Sequence, residues 1–404
     1  MTAPGYTDSR ESRESTPMYS ALATDGERIL ELQPSLSTPS TNLPDRYVFQ
    51  SQRIKLDLGA RTWPVSAPCF GYRGSVEGVV SVTTLEYVKS VTVKVEATVK
   101  TFFMERGILS GHTEYGLFQR SVTLYNNGPE SSEAALTYSF SINLPETCDK
   151  STNPLPPSCI CSLSEASAEI RYRVYVGMSR SGLRRRDSLT IPILYLPRFY
   201  IPLNTSSLPS ENGQIGCLYE AEGMEELPLV PEIRNGGKRN ASSIIDIQAK
   251  IALPASLLVV SGDRIPFIIT IHSQSQALAA LYTDISLQLV KITRIKAPPQ
   301  ASLKEEVLSF GEVYHTEEPG NGVRALRGEL GSGVPGSELS WSAGGIVEVR
   351  HAIRLSLKPP SSTLSLSANL PIFERTIPVG IMTHRYAPDV DTALPALGLI
   401  GTSN

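Results

Sequence analysis

Apolar and polar residues alternate one by one along several short stretches of the chain. In the clearest stretch, 90–100, polar residues separate the apolar positions Val91, Val93, Val95, Ala97 and Val99. Alternation at period two places one set of side chains on a buried sheet face and the other set in water. A helix would scatter the same residues around its whole surface, so the pattern predicts a β-strand.

Weaker versions of this pattern predict further strands in both halves of the chain. In the first half they cover 47–49, 54–58, 121–125, 136–144, 169–176 and 188–195, and the glycine-containing segment 71–82 is predicted as a turn that leads into another strand. In the second half they cover 245–251, 266–271, 284–290, 346–357 and 376–382. Eight glycines between Val313 and Gly345 interrupt the pattern and predict long loops around one short strand near 323–330.

Strands punctuated by turns, without amphipathic helices between them, are typical of β-sandwiches. A chain of 404 residues exceeds one ordinary core. The sequence therefore predicts an all-β protein with two immunoglobulin-like β-sandwich domains in tandem.

The composition divides the chain into five segments. The first 45 residues contain eighteen Ser, Thr or Pro, and no Val, Phe or Trp precedes Val48, which predicts a disordered arm over 1–45. The sandwiches are expected over 46–203 and 241–385, and loop-like sequence predicts an interdomain connection over 204–240. The remaining residues, 386–404, are expected to form a tail.

Charge and cysteine usage narrow the class of protein. The formal net charge is -3, which gives no bulk attraction to nucleic acid or to an anionic membrane. Five cysteines without a paired pattern favour a reducing compartment, and the first residues lack the apolar region of a signal peptide. No window approaches about 18 continuous apolar residues. We therefore expect a cytoplasmic protein.

The motifs that carry chemistry are weak. Gly331-Ser-Gly-Val-Pro-Gly matches a dinucleotide fingerprint in letters, but no helical pattern follows it, which favours a loop. The five histidines are scattered, and Cys159-Ile-Cys161 lacks a second cysteine pair at zinc spacing, so ordinary thiols are favoured. There is no Gly-x-Ser-x-Gly elbow. We expect no enzymatic activity, no cofactor and no metal.

Three consecutive arginines, Arg184, Arg185 and Arg186, lie between two predicted strands. One interpretation is a solvated hairpin tip. The other is an anion-binding loop for phosphorylated tails or acidic lipid head groups, since guanidinium forks suit phosphate.

The order of several segments resembles the arrestin family, in particular fungal α-arrestins. In the first half these segments are Phe140-Ser-Ile-Asn-Leu-Pro, Leu155-Pro-Pro-Ser, Arg171-Tyr-Arg-Val-Tyr-Val and a last strand ending at Pro197-Arg. In the second half Ser261-Gly-Asp-Arg-Ile-Pro-Phe resembles the signature of the carboxy-terminal domain. The resemblance implies two hinged β-sandwiches and a cytosolic adaptor that binds cytoplasmic regions of membrane proteins for endocytic sorting, ubiquitination or signalling.

The family also implies recruitment of a WW-domain ubiquitin ligase and association with the plasma membrane or endosomes. Ligase recruitment in the family uses Pro-Pro-x-Tyr, whereas the three Pro-Pro pairs here are followed by Ser-Cys, Gln-Ala and Ser-Ser. A ligase would therefore be reached through another partner. The alternative is a structural coat subunit of a trafficking complex, similar to the arrestin-shaped component of retromer.

Overall fold

Antiparallel strands make up most of the structure, a computed structural model that describes residues 43–127, 135–181, 186–201, 223–232, 247–359, 370–386 and 392–402. Helical structure in these residues is limited to a five-residue segment, α1 (Gln276–Ala280), and a 3-10 helix, Leu397–Thr402. The all-β prediction is confirmed.

The strands of the first half form two sheets. In chain order they are β1 (Arg46–Gln50), β2 (Ile54–Ala60), β3 (Cys69–Phe70), β4 (Ser75–Val82), β5 (Val88–Glu105), β6 (Ile108–Asn126), β7 (Thr137–Asn143), β8 (Cys159–Ser162), β9 (Ala166–Arg180) and β10 (Asp187–Tyr195). One sheet has the order β1-β2-β4-β7. The other has the order β3-β10-β9-β5-β6, and β8 also pairs with β9.

The inner faces of these two sheets share one hydrophobic core. The alternating valines of β5 are all buried, as are Leu56 and Val80 of the smaller sheet. They belong to the same apolar cluster. This arrangement is consistent with a β-sandwich, in which alternate residues of each strand face the opposing sheet.

The second half forms one large sheet. Its strands are β11 (Met224–Pro228), β12 (Pro231–Glu232), β13 (Gln248–Pro254), β14 (Leu258–Val260), β15 (Arg264–His272), β16 (Asp284–Ala297), β17 (Gln300–Gly320), β18 (Val323–Gly331), β19 (Trp341–Ala343), β20 (Val347–Lys358) and β21 (Ile372–Met382). The order is β11-β13-β15-β18-β17-β16-β20-β21-β12, with β14 on β21 and β19 on β20. Most of its buried apolar side chains form a second hydrophobic cluster.

The glycine-rich region forms a loop after the predicted short strand, over 332–340, but no long loop before it. β18 confirms the short strand, but it is preceded by β17, a strand of 21 residues. β17 pairs first with β16 and then, from Gly311 onward, with β18. At Gly311 an added Cβ would lie 3.0 Å from Leu287 and 3.1 Å from Phe267. This glycine therefore permits close packing inside the sheet and does not end it.

Pro44–Asn404 form one compact unit. Part of the segment predicted as an interdomain connection, 204–240, lies in this unit as β11 and β12, which pair with β13 and β21. The rest of that segment, like residues 1–42 of the predicted arm, lies outside the described residues.

The segment predicted as a tail contributes to a small third cluster. Ala396 and Leu399 are buried together with Leu196 and Leu339, and Trp341 packs against them. The amide of Ala396 donates to the carbonyl of Leu196 at 2.8 Å. Residues near the carboxyl end therefore pack between strands of both halves.

The tight packing around Phe267 gives a stability prediction. At Gly328, opposite Phe267, an added Cβ would collide with the Phe267 ring and with the Glu312 carbonyl. Overpacking of this kind typically costs about 1–3 kcal/mol. We expect Gly328→Ala to lower the midpoint of denaturant unfolding. At Gly116 of β6, where no atom lies within 4 Å of an added Cβ, the same change serves as the control. Equal midpoints for the two variants would contradict this explanation.

Candidate functional site at the junction of the sheets

The two halves of the chain meet along an apolar junction. Ile295, Ala297, Ala343 and Val347, all from the second half, are buried in the hydrophobic cluster of the first half. The hairpin ends also touch, since Gln300 Nε2 donates to Ser110 Oγ at 2.9 Å. The junction therefore resembles the interior of one domain more than a wet contact between two domains.

A cavity of about 70 Å³ lies at this junction, between β8 and the strands β16 and β17. Its wall carries two thiols, Cys159 and Cys161, from the first half. Lys291, Lys304 and Glu338 of the second half line the same space. The cavity is therefore the place where ionisable groups of both halves approach each other.

The deepest charged group is the carboxylate of Glu338, whose side chain is 8% exposed. Lys291 Nζ lies 2.9 Å from Glu338 Oε2, and His351 Nε2 lies 3.2 Å from the same oxygen. β16 and β20 position the two donors, because Lys291 and His351 are directly opposite each other in the antiparallel register. The Glu338 amide is itself held by Ser261 Oγ at 3.0 Å.

The surroundings determine which of these groups is charged. Burial opposes ionisation of Glu338, but the hydrogen bond from His351 and the ion pair with Lys291 bring its pKa below the ordinary value. Burial also lowers the pKa of His351, and the nearby carboxylate opposes this only in part. At neutral pH the cluster therefore holds an ionised Glu338 beside a neutral His351.

A neutral imidazole completes a chain of hydrogen bonds. With its proton on Nε2, His351 donates to Glu338, and its Nδ1, 2.9 Å from Ser340 Oγ, accepts from that hydroxyl. Ser340 Oγ in turn accepts from the Ile381 amide at 2.9 Å. Hydroxyl, imidazole and carboxylate follow the order of a catalytic triad. However, neither Ser340 nor His351 lines the cavity, which favours a structural role.

The sequence did not single out this cluster. Its members are far apart in the chain and belong to no motif, and His351 was one of five scattered histidines. The only signal in the sequence was a histidine among the apolar residues of a predicted strand, which the structure shows as Val347–Lys358. By contrast, the Cys159–Cys161 pair was noted, and the structure places the two sulfur atoms 3.9 Å apart.

The predicted anion-binding arginines are only partly described. Arg184 and Arg185 lie outside the described residues, and Arg186 is exposed immediately before β10. The anion-binding interpretation of this loop stays a prediction. Within the described ranges, no group of three or more metal-ligating side chains occurs.

Comparisons with protein-family models and with curated proteins found no match to this chain. Among the described residues, no helix has the length and apolar character needed to cross a membrane. The resemblance to arrestins therefore stays a prediction.

The buried ion pair gives a prediction about stability. Glu338→Gln leaves the Lys291 ammonium in the junction without its carboxylate, and stranding a buried charge costs on the order of 3 kcal/mol. We expect a clear decrease in the free energy of unfolding, measured by chemical denaturation. Replacing both groups, as in Lys291→Met with Glu338→Leu, removes both charges and is expected to recover much of the loss.

The pair between Lys250 and Glu226 offers a matched control for that experiment. Its distance is 3.1 Å, but the two side chains are 49% and 63% exposed. Exposed pairs contribute little to stability. Glu226→Gln is therefore expected to leave unfolding almost unchanged, and a loss as large as that of Glu338→Gln would contradict the proposed role of burial.

His351 gives a prediction about pH. Because its folded-state pKa lies below the ordinary 6.5, the unfolded chain takes up more protons as the pH falls through that value. His351 therefore contributes fully to the free energy of unfolding above pH 6.5, and this contribution is lost as the pH falls below that value. His384, whose pKa burial also lowers, acts in the same direction.

We therefore expect stability to decrease between pH 7 and about pH 5. His351→Gln should reduce the slope of this decrease, and the double variant with His384→Gln should reduce it further. Unfolding midpoints across that range measure the effect. A steeper slope in His351→Gln would show that the sign of the pKa shift is wrong.

Proposed function

We propose that this chain is a non-enzymatic, cytosolic, arrestin-like adaptor. It binds cytoplasmic regions of membrane proteins and takes part in their endocytic sorting, ubiquitination or signalling. The proposal includes two β-sandwiches in tandem, 46–203 and 241–385, and recruitment to the plasma membrane or endosomes. It is supported by the ordered segments that resemble arrestins, by the all-β structure and by the surface of β17.

The observation that carries the proposal is a set of five exposed apolar side chains spread along β17. We call it the β17 row; its members are Leu303, Val307, Phe310, Val313 and Tyr314. Phe310 is 64% exposed and Tyr314 is 57% exposed. Large apolar side chains grouped on a surface mark sites of contact with other molecules.

The charges of β17 indicate the kind of partner. Five glutamates occur in the strand (Glu305, Glu306, Glu312, Glu317 and Glu318), against one lysine, Lys304. Several of these glutamates make exposed ion pairs. In the pair of Glu305 with Arg354, for example, each side chain is 40% exposed. Because exposed pairs are weak, a basic partner can compete for the glutamates.

A partner that is both basic and apolar fits this surface best. Cytoplasmic segments next to membrane spans carry an excess of Lys and Arg, and they continue into apolar sequence. Such a segment offers cations to the glutamates and apolar side chains to the β17 row. We therefore propose juxtamembrane segments of membrane-protein tails as the occupants of β17.

Substitutions in the β17 row test this assignment. Phe310→Lys combined with Leu303→Lys removes two exposed apolar contacts and adds positive charge, so binding of basic tails should decrease severalfold. The measurement is proximity labelling in cells, with a biotin ligase fused to the full chain. We expect the unchanged chain to label integral membrane proteins, and the variant to lose most of that labelling.

Val334→Lys serves as the control, because Val334 is 68% exposed and lies outside β17. It should label the same proteins as the unchanged chain. If the unchanged chain labels no membrane protein or endocytic component, the adaptor function is wrong. If the β17 variant labels as strongly as the control, β17 is not the binding surface. A stable stoichiometric complex on size exclusion would instead favour a coat subunit.

The loop 184–186 is a separate candidate for binding acidic groups. Changing Arg184, Arg185 and Arg186 together to Ala is expected to weaken binding to phosphopeptides or to anionic liposomes. Unchanged binding would leave the loop as a solvated hairpin tip.

A hydrolase is the second candidate, because of the hydrogen-bonded chain from Ser340 through His351 to Glu338. It ranks second because the Ser340 hydroxyl does not line the cavity. Turnover of an activated ester that disappears in Ser340→Ala would support it.

A further inference from the structure

The thiols of Cys159 and Cys161 lie side by side at the junction cavity. They are separated by one residue in β8, so their side chains lie on the same face of the strand. The two sulfur atoms are 3.9 Å apart. β8 has four residues and, among the strands that the structure describes, pairs with β9.

The charges around the thiols are unequal. Lys291 of β16 and Lys304 of β17 line the cavity with the cysteines, as do Glu306 and Glu338. Glu169 of β9 also acts on Cys159. Glu338 is engaged by Lys291 at 2.9 Å, and Glu306 lies 3.6 Å from Lys304. Both lysines nevertheless remain close enough to favour a thiolate.

The two cysteines have different charged neighbours, since Lys291 and Lys304 both act on Cys161 whereas Lys291 and Glu169 act on Cys159. The hydrogen bond from Cys159 lowers the pKa of Cys161, and both lysines add to this effect although burial opposes it. The same hydrogen bond, together with burial, raises the pKa of Cys159. Elsewhere in the chain, burial raises the pKa of Cys69 to about 11.

The cavity admits a small oxidant. Its volume is about 70 Å³, whereas a single water needs roughly 10–15 Å³. A hydroperoxide as small as hydrogen peroxide therefore fits beside Cys161. The side chain of Lys304, which is 48% exposed, connects this wall of the cavity to the surface.

We propose that Cys159 and Cys161 form a peroxide-reactive dithiol, in which Cys161 is oxidised first and Cys159 resolves it to a disulfide. The Cys161 thiolate attacks one peroxide oxygen, so that an S–O bond forms as the O–O bond breaks. The hydroxide that leaves takes the proton of Cys159 and becomes water. The Cys159 thiolate then attacks the Cys161 sulfur, an S–S bond forms, and the S–O bond breaks to release hydroxide.

The overall step oxidises the pair by two electrons and reduces one peroxide. The sulfur atoms must approach from 3.9 Å to about 2.05 Å. In a reducing compartment such disulfides are transient and act in redox sensing. The disulfide also removes the thiolate that faces Lys291 and Lys304.

Mass spectrometry of the reduced full chain tests the proposal. The chain is treated with equimolar hydrogen peroxide, blocked with N-ethylmaleimide and digested with trypsin. The fragment 151–171 contains both cysteines and no other. We expect it to lose two hydrogens and to take up no maleimide. Cys69 and Cys148, which are free thiols in the same chain, should remain labelled.

Variants separate the two roles. In Cys159→Ser, dimedone should trap a sulfenic acid at Cys161, and in Cys161→Ser, Cys159 should remain reduced. At neutral pH, iodoacetamide should alkylate Cys161 roughly tenfold or more faster than Cys69. Lys304→Gln should slow alkylation of Cys161 severalfold and shift its pH profile upward.

Two results would overturn the proposal. One is that fragment 151–171 takes up maleimide on both cysteines after peroxide treatment that oxidises Cys69 or Cys148. The other is that Cys161 is alkylated no faster than Cys69. Both measurements use the unchanged chain and do not depend on the folding of any variant.

Discussion

The carboxylate of Glu338 is the constraint on which the loop between β18 and β19 depends. It is buried, and its contacts with Lys291 and His351 favour the ionised form by lowering its pKa. These donors come from adjacent strands, β16 and β20, in direct register. Ser340, two residues after Glu338, extends the same network to the Ile381 amide of β21. The network around Glu338 therefore holds its loop against three strands. A buried charge of this kind determines where the loop lies, even where the ion pair adds little to the free energy of unfolding.

A second constraint is the continuity of β17. The strand pairs with β16 over its first part and with β18 over its second, so the sheet turns around the core without interruption. Where the sheet bends there is no space for side chains at Gly311 and Gly328, because the Phe267 ring lies on the core side of both glycines. The Phe267 ring therefore occupies the space that side chains at these two glycines would otherwise fill.

Local patterns were sufficient where burial follows the strand period. The alternation at 90–100 predicted β5 because every second residue of that strand faces the first core. The same logic failed for 300–320, since β17 is exposed on most positions and therefore shows no clean alternation. The glycines between Val313 and Gly345 also suggested loops, although the role of Gly328 depends on Phe267, which is far away in sequence. The Glu338 cluster and the cavity beside Cys161 arise from contacts between distant segments, which no spacing in the sequence encodes.

The first residues of β17 also separate two kinds of chemistry. Lys304 and Glu306 point toward the cavity and its thiols, whereas Leu303 and Val307 are exposed on the strand. Adjacent residues of a strand face opposite sides, so a partner that contacts Leu303 and Val307 is separated from a reaction at Cys161 by one strand thickness. Exposed apolar side chains contribute nothing to the core, and they favour association. Oxidation of Cys161 changes the charge that faces Lys304. It therefore acts on β17, the same strand that presents the β17 row.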